Sequence, residues 1–282
     1  MKNYKTLLFI FLILPFLVNA QEETKKKKEK LERDAFESSL IIDNPSNVLL
    51  SKNALEVQMQ HRFGLINSPS GNDLAGFWGD SNIRIGLAYG IHERLTIGYG
   101  TTKFNRFQDF NWKVALLRQT RSNSMPISVS YYGNFTIDAR KKDKFNMIQD
   151  RYSYFNQLII AKKFSPSISF QIAPSISHFN LVHPDMKNDL VSVAFGGRIK
   201  ISPQTSILID YSQPITKFDN SQFDPKPGIS LGFEFATSAH EFQLMLTNYN
   251  ALVQQKNYMY NQYDFFNGDF LIGFNITRIY NF

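Results

Sequence analysis

The residues best suited to acid–base or metal chemistry are five histidines, His61, His92, His178, His183 and His240. His178 and His183 are followed by Asp185 and Asp189, and imidazole with carboxylate suits several divalent ions. No tight ligand spacing links these four, so the segment reads as a loop carrying incidental histidines. His92 and His240 fall in turns, where solvated side chains are the default. Nucleophilic catalysis by serine needs a base and an orienting group converging on it, and no segment announces such a set. No Gly-rich loop follows a strand and opens a helix to cradle phosphate. The absence of cysteine excludes thiolate chemistry, disulfides and lipoprotein attachment. The expectation is a protein that is not an enzyme and needs neither cofactor nor metal.

A different set of polar residues is more informative. Arg62, Arg84, Lys113, Arg198 and Lys200, with the acidic Glu56, Asp210 and Glu234, sit at alternate positions of otherwise apolar segments. Gln58, Gln60, Gln157, Gln171 and Gln243 share that parity. If these segments are strands crossing a membrane, an Arg or Lys on the lipid face near mid-depth costs about 2–4 kcal/mol. Their parity therefore assigns them to the interior of a barrel. Two readings follow. Opposite charges could pair across the interior and close it, leaving an anchor or scaffold. Alternatively they line a narrow passage whose basic excess favours polar or anionic solutes.

The elements needed to position that set are legible from Ala54 onward. Leu55 to Phe63 alternates apolar and polar residues, with His61 as the exception on the apolar parity. A stretch of this kind has one greasy and one wet face when extended. The pattern recurs around Ile83–Tyr89, Ile97–Gly100, Asn111–Leu116, Ile127–Phe135, Tyr152–Phe164, Ile168–Ile176 and Val191–Ile199. It continues through Ser206–Tyr211, Gly228–Ala236, Glu241–Asn248 and Asp269–Phe282, giving twelve strands. The connections alternate between short ones, such as Ser165-Pro166-Ser167 and Ser202–Thr205, and long ones, such as Asp138–Asp150 and Tyr249–Gly268. Outer-membrane barrels place short turns in the periplasm and long loops outside. That rule puts every short turn, and both termini, in the periplasm. Outward aromatics such as Tyr89, Tyr131, Phe135, Tyr152 and Tyr154 suit interfacial girdles.

The chain ends support export and membrane assembly. Lys2 and Lys5 precede an apolar run from Leu7 to Val18, and Val18-Asn19-Ala20 suits signal cleavage. The run is shorter than the about 20 residues a spanning helix needs. Residues 1–20 are therefore read as a signal peptide and 21–53 as a charged, solvated periplasmic arm. Residues 54–282 are read as the barrel, an all-β, single antiparallel transmembrane fold. No later run is long and apolar, which excludes a helical membrane protein. At 43% apolar and 15% aromatic residues the chain is not disordered. Tyr280 and Phe282 close an apolar parity that begins at Phe270, interrupted by Arg278. This resembles the C-terminal strand read by the outer-membrane assembly machinery. A net charge of +7 suits contact with lipopolysaccharide phosphates rather than nucleic acid, which an exported chain rarely meets. Expected partners are therefore outer-membrane lipid, lipopolysaccharide and the assembly machinery.

Three segments, Gln60-His61-Arg62-Phe63-Gly64, Asp80-Ser81-Asn82-Ile83-Arg84 and Tyr89-Gly90-Ile91-His92-Glu93-Arg94-Leu95, resemble a family of single-domain bacterial β-barrels. That family is catalogued as a domain of unknown function. The likeness runs from about Leu55 to the end; it implies an outer-membrane barrel and brings no activity, ligand or catalytic residue. The functional expectation is a narrow channel for small polar or anionic solutes. The alternatives are a non-conducting surface scaffold acting through its outer loops and, last, an enzyme with its site on those loops.

Overall fold

The computed structural model describes residues 29–68 and 73–282. The signal segment expected at residues 1–20 lies outside the described residues.

Alternation becomes a closed sheet of twelve antiparallel strands. They are β1 (Ala54–Leu65), β2 (Asn82–His92), β3 (Leu95–Thr102), β4 (Phe107–Leu117), β5 (Ser128–Asp138) and β6 (Tyr152–Lys163). There follow β7 (Ile168–Phe179), β8 (Asp189–Lys200), β9 (Thr205–Pro214), β10 (Gly228–Ala236), β11 (His240–Thr247) and β12 (Leu271–Asn281). Each strand pairs with its sequence neighbours, and β1 closes on β12 in a register running from Ala54 opposite Asn281 to Arg62 opposite Gly273. Closure leaves no unpaired strand edge, the condition for taking backbone polar groups into lipid.

The barrel is inverted relative to a water-soluble protein. Ile85, Leu87, Ile97, Phe110, Phe233 and Leu244 point outward and are exposed, whereas Glu56, Gln58, Gln60 and Arg62 on β1 point inward and are buried. Lipid is the solvent that makes this arrangement favourable. Four short turns and the longer β4–β5 connection at residues 118–127 lie on the rim that also carries the start of β1 and the end of β12. The other connections, long except for that at residues 103–106, lie on the opposite rim, called outer below. His61 faces outward as its parity requires; its ring stacks on Phe274 at 5.1 Å and tilts against Phe63 at 4.4 Å.

Two boundaries differ from the sequence reading. Strand β4 begins at Phe107, ahead of the Asn111–Leu116 stretch read from the sequence, so Asp109 is an inward strand residue that is 1% exposed. The larger correction concerns the arm. The expectation of a solvated segment from 21 to 53 fails for Ala35 to Leu50, which enters the barrel and is buried along nearly its whole length. Leu40 pairs with Pro45 in a tight hairpin, closed by Ile41 N–H to Asn44 O at 2.7 Å and Ser46 N–H to Ser39 O at 3.0 Å. The physical reason is the run Leu40-Ile41-Ile42, whose apolar surface is stabilised by leaving water. Ile42 packs on Leu208 and Met245; Ile41 and Phe36 pack near Ala161.

Candidate functional site

The interior is filled from both ends. From the turn-bearing rim, the segment at 30–32 first lies along the β4–β5 connection, with Glu32 N–H donating to Gln119 O at 2.8 Å and Arg121 N–H to Lys30 O at 3.0 Å. The chain then rises to its tip at Asp43 and Asn44 and returns to Ser51. The tip reaches Arg62, eight residues up β1 from Ala54, or roughly 26 Å of strand. From the outer rim, the last loop folds inward and forms a helix, α1 (Gln254–Tyr260). Tyr258 and Met259 of α1 pack among Phe155, Ile159, Leu190 and Ala194 of the wall. The two inserts meet: Tyr258 Oη donates to Asn44 Oδ1 at 2.6 Å.

An irregular segment inside a barrel has backbone groups that need partners, and the wall supplies many of them. Lys113 Nζ donates to Ser39 O at 3.0 Å and Val48 O at 2.8 Å. Gln171 donates to Pro45 O at 2.8 Å, Gln243 to Leu40 O at 3.2 Å and Asn275 to Ile42 O at 2.8 Å. Thr96 Oγ1 accepts from Leu50 N–H at 3.0 Å. The loop insert is anchored similarly, with Asn82 donating to Asn250 O at 2.7 Å and Gln255 to Asn134 Oδ1 at 3.0 Å.

The tip is the most densely bonded point. The Asp43 carboxylate accepts from Arg62 Nη2 at 2.9 Å, Ser230 Oγ at 2.6 Å and Thr247 Oγ1 at 2.8 Å. On the neighbouring strand, directly opposite Ser230 in the sheet, Asp210 accepts the backbone N–H groups of Asp43 and Asn44, each at 3.0 Å, and the Asn44 side-chain amide at 2.6 Å. Ser212 Oγ accepts a further bond from that amide at 2.9 Å. Neither ion of the Arg62–Asp43 pair is more than 2% exposed, so each depends on the other and on these hydrogen bonds.

Of the candidate lumen residues, the structure places Arg62, Arg84, Lys113, Arg198, Asp210 and Glu234 inside, buried. Lys200 is half-buried at the turn-bearing rim, beside Lys163 and Arg121. They do not form one cluster. Arg84 makes a two-point bond to Asp109, Nε to Oδ2 and Nη2 to Oδ1, both 2.8 Å. Arg198 bridges Glu234 of the wall at 2.7 Å and Glu37 of the insert at 3.0 Å. Sequence reasoning missed Asp43, Asp109 and Glu241. With Glu56, Asp109, Asp138 and Glu241 counted, six buried acids face four buried bases on the described wall, so the expected basic excess is absent. A parity reading extended one turn earlier on β4 would have found Asp109; nothing local marks Asp43.

The histidines make ordinary loop contacts. His178 bonds Asp189 at 2.8 Å and Asn180 at 2.9 Å, and His183 stacks on Phe223 at 4.4 Å. Among the described residues no three His, Asp or Glu side chains form a group that could hold a metal ion. In the outer loop, burial pushes the Lys256 ammonium down to about 8, with Arg140 adding to the effect and Asp138 opposing it. Its Nζ lies over the Tyr260 ring, 3.4 Å from the centroid.

A closed twelve-strand sheet with an apolar outside and a polar, filled inside defines a membrane β-barrel of porin-like architecture. The chain belongs to the family described as a membrane bound beta barrel domain (DUF5777), whose match covers residues 36–280. No curated protein matches the sequence. Among solved structures, the NanC porin superposes with a TM-score of 0.52 at 8% identity, covering 81% of this chain and 99% of its own. The COG4313 outer membrane channel from Pseudomonas putida F1 gives 0.47 at 13% identity, with coverages of 83% and 97%. The CymD monoaromatic hydrocarbon channel gives 0.38 at 9% identity, with coverages of 83% and 90%. At such identities the likeness to the NanC porin concerns the fold.

Proposed function

We propose that the protein is an outer-membrane channel for small polar solutes, shut in this conformation by residues 35–50 and α1, and opened when the first segment withdraws toward the periplasm and frees α1 from its bond to Asn44. One observation carries the reading. Ser177, Ser192, Ser206 and the Gln171 Oε1 atom are buried with no hydrogen-bond partner among the described residues. Leaving such a group unpaired costs about 1–3 kcal/mol, and an apolar replacement of similar shape would avoid the cost. A lumen closed for good has no use for these hydroxyls and amides; a lumen that fills with water does. The absence of a basic excess on the wall argues for polar solutes over bulk selection of anions. Paired charges alone would serve a permanently closed scaffold, so it is the unpaired hydroxyls and amide that favour the channel reading.

In the same reading both termini are periplasmic, with Tyr280 and Phe282 presented to the assembly machinery and the outer loops facing lipopolysaccharide. The test is planar-bilayer recording of the mature chain, Gln21 to Phe282, beside a variant lacking residues 21–50. The full chain should show rare, brief openings and the shortened one sustained currents of similar unit size. A shortened barrel that is folded, judged by heat-modifiable migration, yet passes no current would leave the scaffold reading in its place.

A further inference from the structure

The tip of the insert is held as a ligand is held. Its carboxylate takes three donors from three strands: Arg62 of β1, Ser230 of β10 and Thr247 of β11. Its N–H groups, two from the backbone and one from the Asn44 amide, converge on the single carboxylate of Asp210 on β9. Arg62 keeps its own position without the insert, through Nη1 bonds to His61 O and Asn275 Oδ1, both 2.9 Å, and its Nε has no partner among the described residues. Much of the wall half of the site is thus built independently of what fills it. A cation with hydroxyls and, next to them in the sheet, a carboxylate (Ser230 is paired with Asp210) is complementary to a small molecule bearing a carboxylate beside N–H donors.

We infer that this part of the wall is a recognition site for amino acids or short acidic peptides, and that the Asp43–Asn44 tip occupies it as an internal surrogate. The inference rests on the channel reading in one respect: residues 35–50 must leave for a solute to enter. A peptide-like solute arriving at the wall would replace the tip bond for bond, with its carboxylate on Arg62, Ser230 and Thr247 and its ammonium or amide N–H groups on Asp210. The solute and the closed segment would then compete for one site, so that bound solute holds the segment out.

The experiment uses the full mature chain with a protease site placed at Ser51–Asn53, refolded, cut, and washed free of the released segment. L-aspartyl-L-asparagine is the probe, followed by calorimetry and by block of single-channel current. Saturable binding is expected, weakened about tenfold or more by Arg62→Gln and likewise by Asp210→Asn, as loss of a hydrogen bond to a charged group implies. Succinate, which has carboxylates and no N–H, should bind at least about tenfold more weakly. An emptied, folded barrel that conducts but neither binds the probe nor is blocked by it overturns the inference and leaves the channel reading standing. Binding by calorimetry without any current does the reverse. If the segment resists washing out, the uncut chain carrying Asp43→Gly and Asn44→Gly serves instead, with acetate and acetamide as probes of the two emptied positions. A rise in melting temperature with both, absent in the unsubstituted chain, supports the inference, and no rise with either overturns it.

Discussion

Replacing Asp43 by alanine should open the channel, and the size of the effect follows from the contacts at the tip. The substitution leaves Arg62, itself 0% exposed, without its ion partner and removes the acceptor for Ser230 and Thr247. Breaking a buried pair by removing one partner costs about 3–5 kcal/mol. Arg62 retains its bonds to His61 O and Asn275 Oδ1, which places the loss near the lower end. The penalty falls on the inserted state, because with the segment withdrawn water can solvate Arg62. About 3 kcal/mol corresponds to a shift of about two orders of magnitude in the insertion equilibrium. Single-channel recording should therefore show open probability rising about a hundredfold in D43A at unchanged unit conductance. The double variant D43A with Arg62→Met removes the stranded cation and should return most of the closure, since the uncompensated charge causes most of the cost. If folded D43A opened within threefold of the parent protein, the pair would not be what holds the segment, and the account of closure given above would be wrong.

Two further outcomes follow from the packing around the inserts. A Cβ at Gly196 would lie 2.4 Å from Ile41 Cδ1 and 3.1 Å from Gln171 Cγ. Gly196→Leu should therefore overpack the inserted segment by about 1–3 kcal/mol and raise its cleavage by added protease, while Ile41→Ala in the same chain restores protection. The second outcome concerns pH. Burial lowers the Lys256 ammonium from its ordinary 10.5 to about 8 in the docked loop. The undocked loop then binds more protons between those values, so docking strengthens as pH rises from about 8 toward 10.5. Amide exchange of residues 254–260 should slow, relative to an unstructured reference peptide, across that interval, and Lys256→Met should abolish the dependence. An unchanged dependence in that variant would assign it to another group.

Strand order and parity were legible in the sequence because each rests on a local rule. Alternation with period two states which side chains share a face, and antiparallel order states which connections share a rim. Arg62, Arg84, Lys113, Arg198, Asp210 and Glu234 could be assigned to the interior for that reason alone. The sequence left their partners open: Arg84 faces Asp109, twenty-five residues away, while Arg198 bonds Glu37 of the insert, 161 residues back along the chain.

The content of the lumen was decided only by tertiary structure. Residues 35–50 have no strand or helix periodicity, so no pattern ties them to a face. They follow a charged run that reads as solvated, and their partners lie far along the chain, Asp210 being 167 residues from Asp43 and Asn275 233 from Ile42. A local sequence can specify that a side chain points inward. Whether that interior holds water or another part of the same chain depends on contacts that exist only after twelve strands have closed around it.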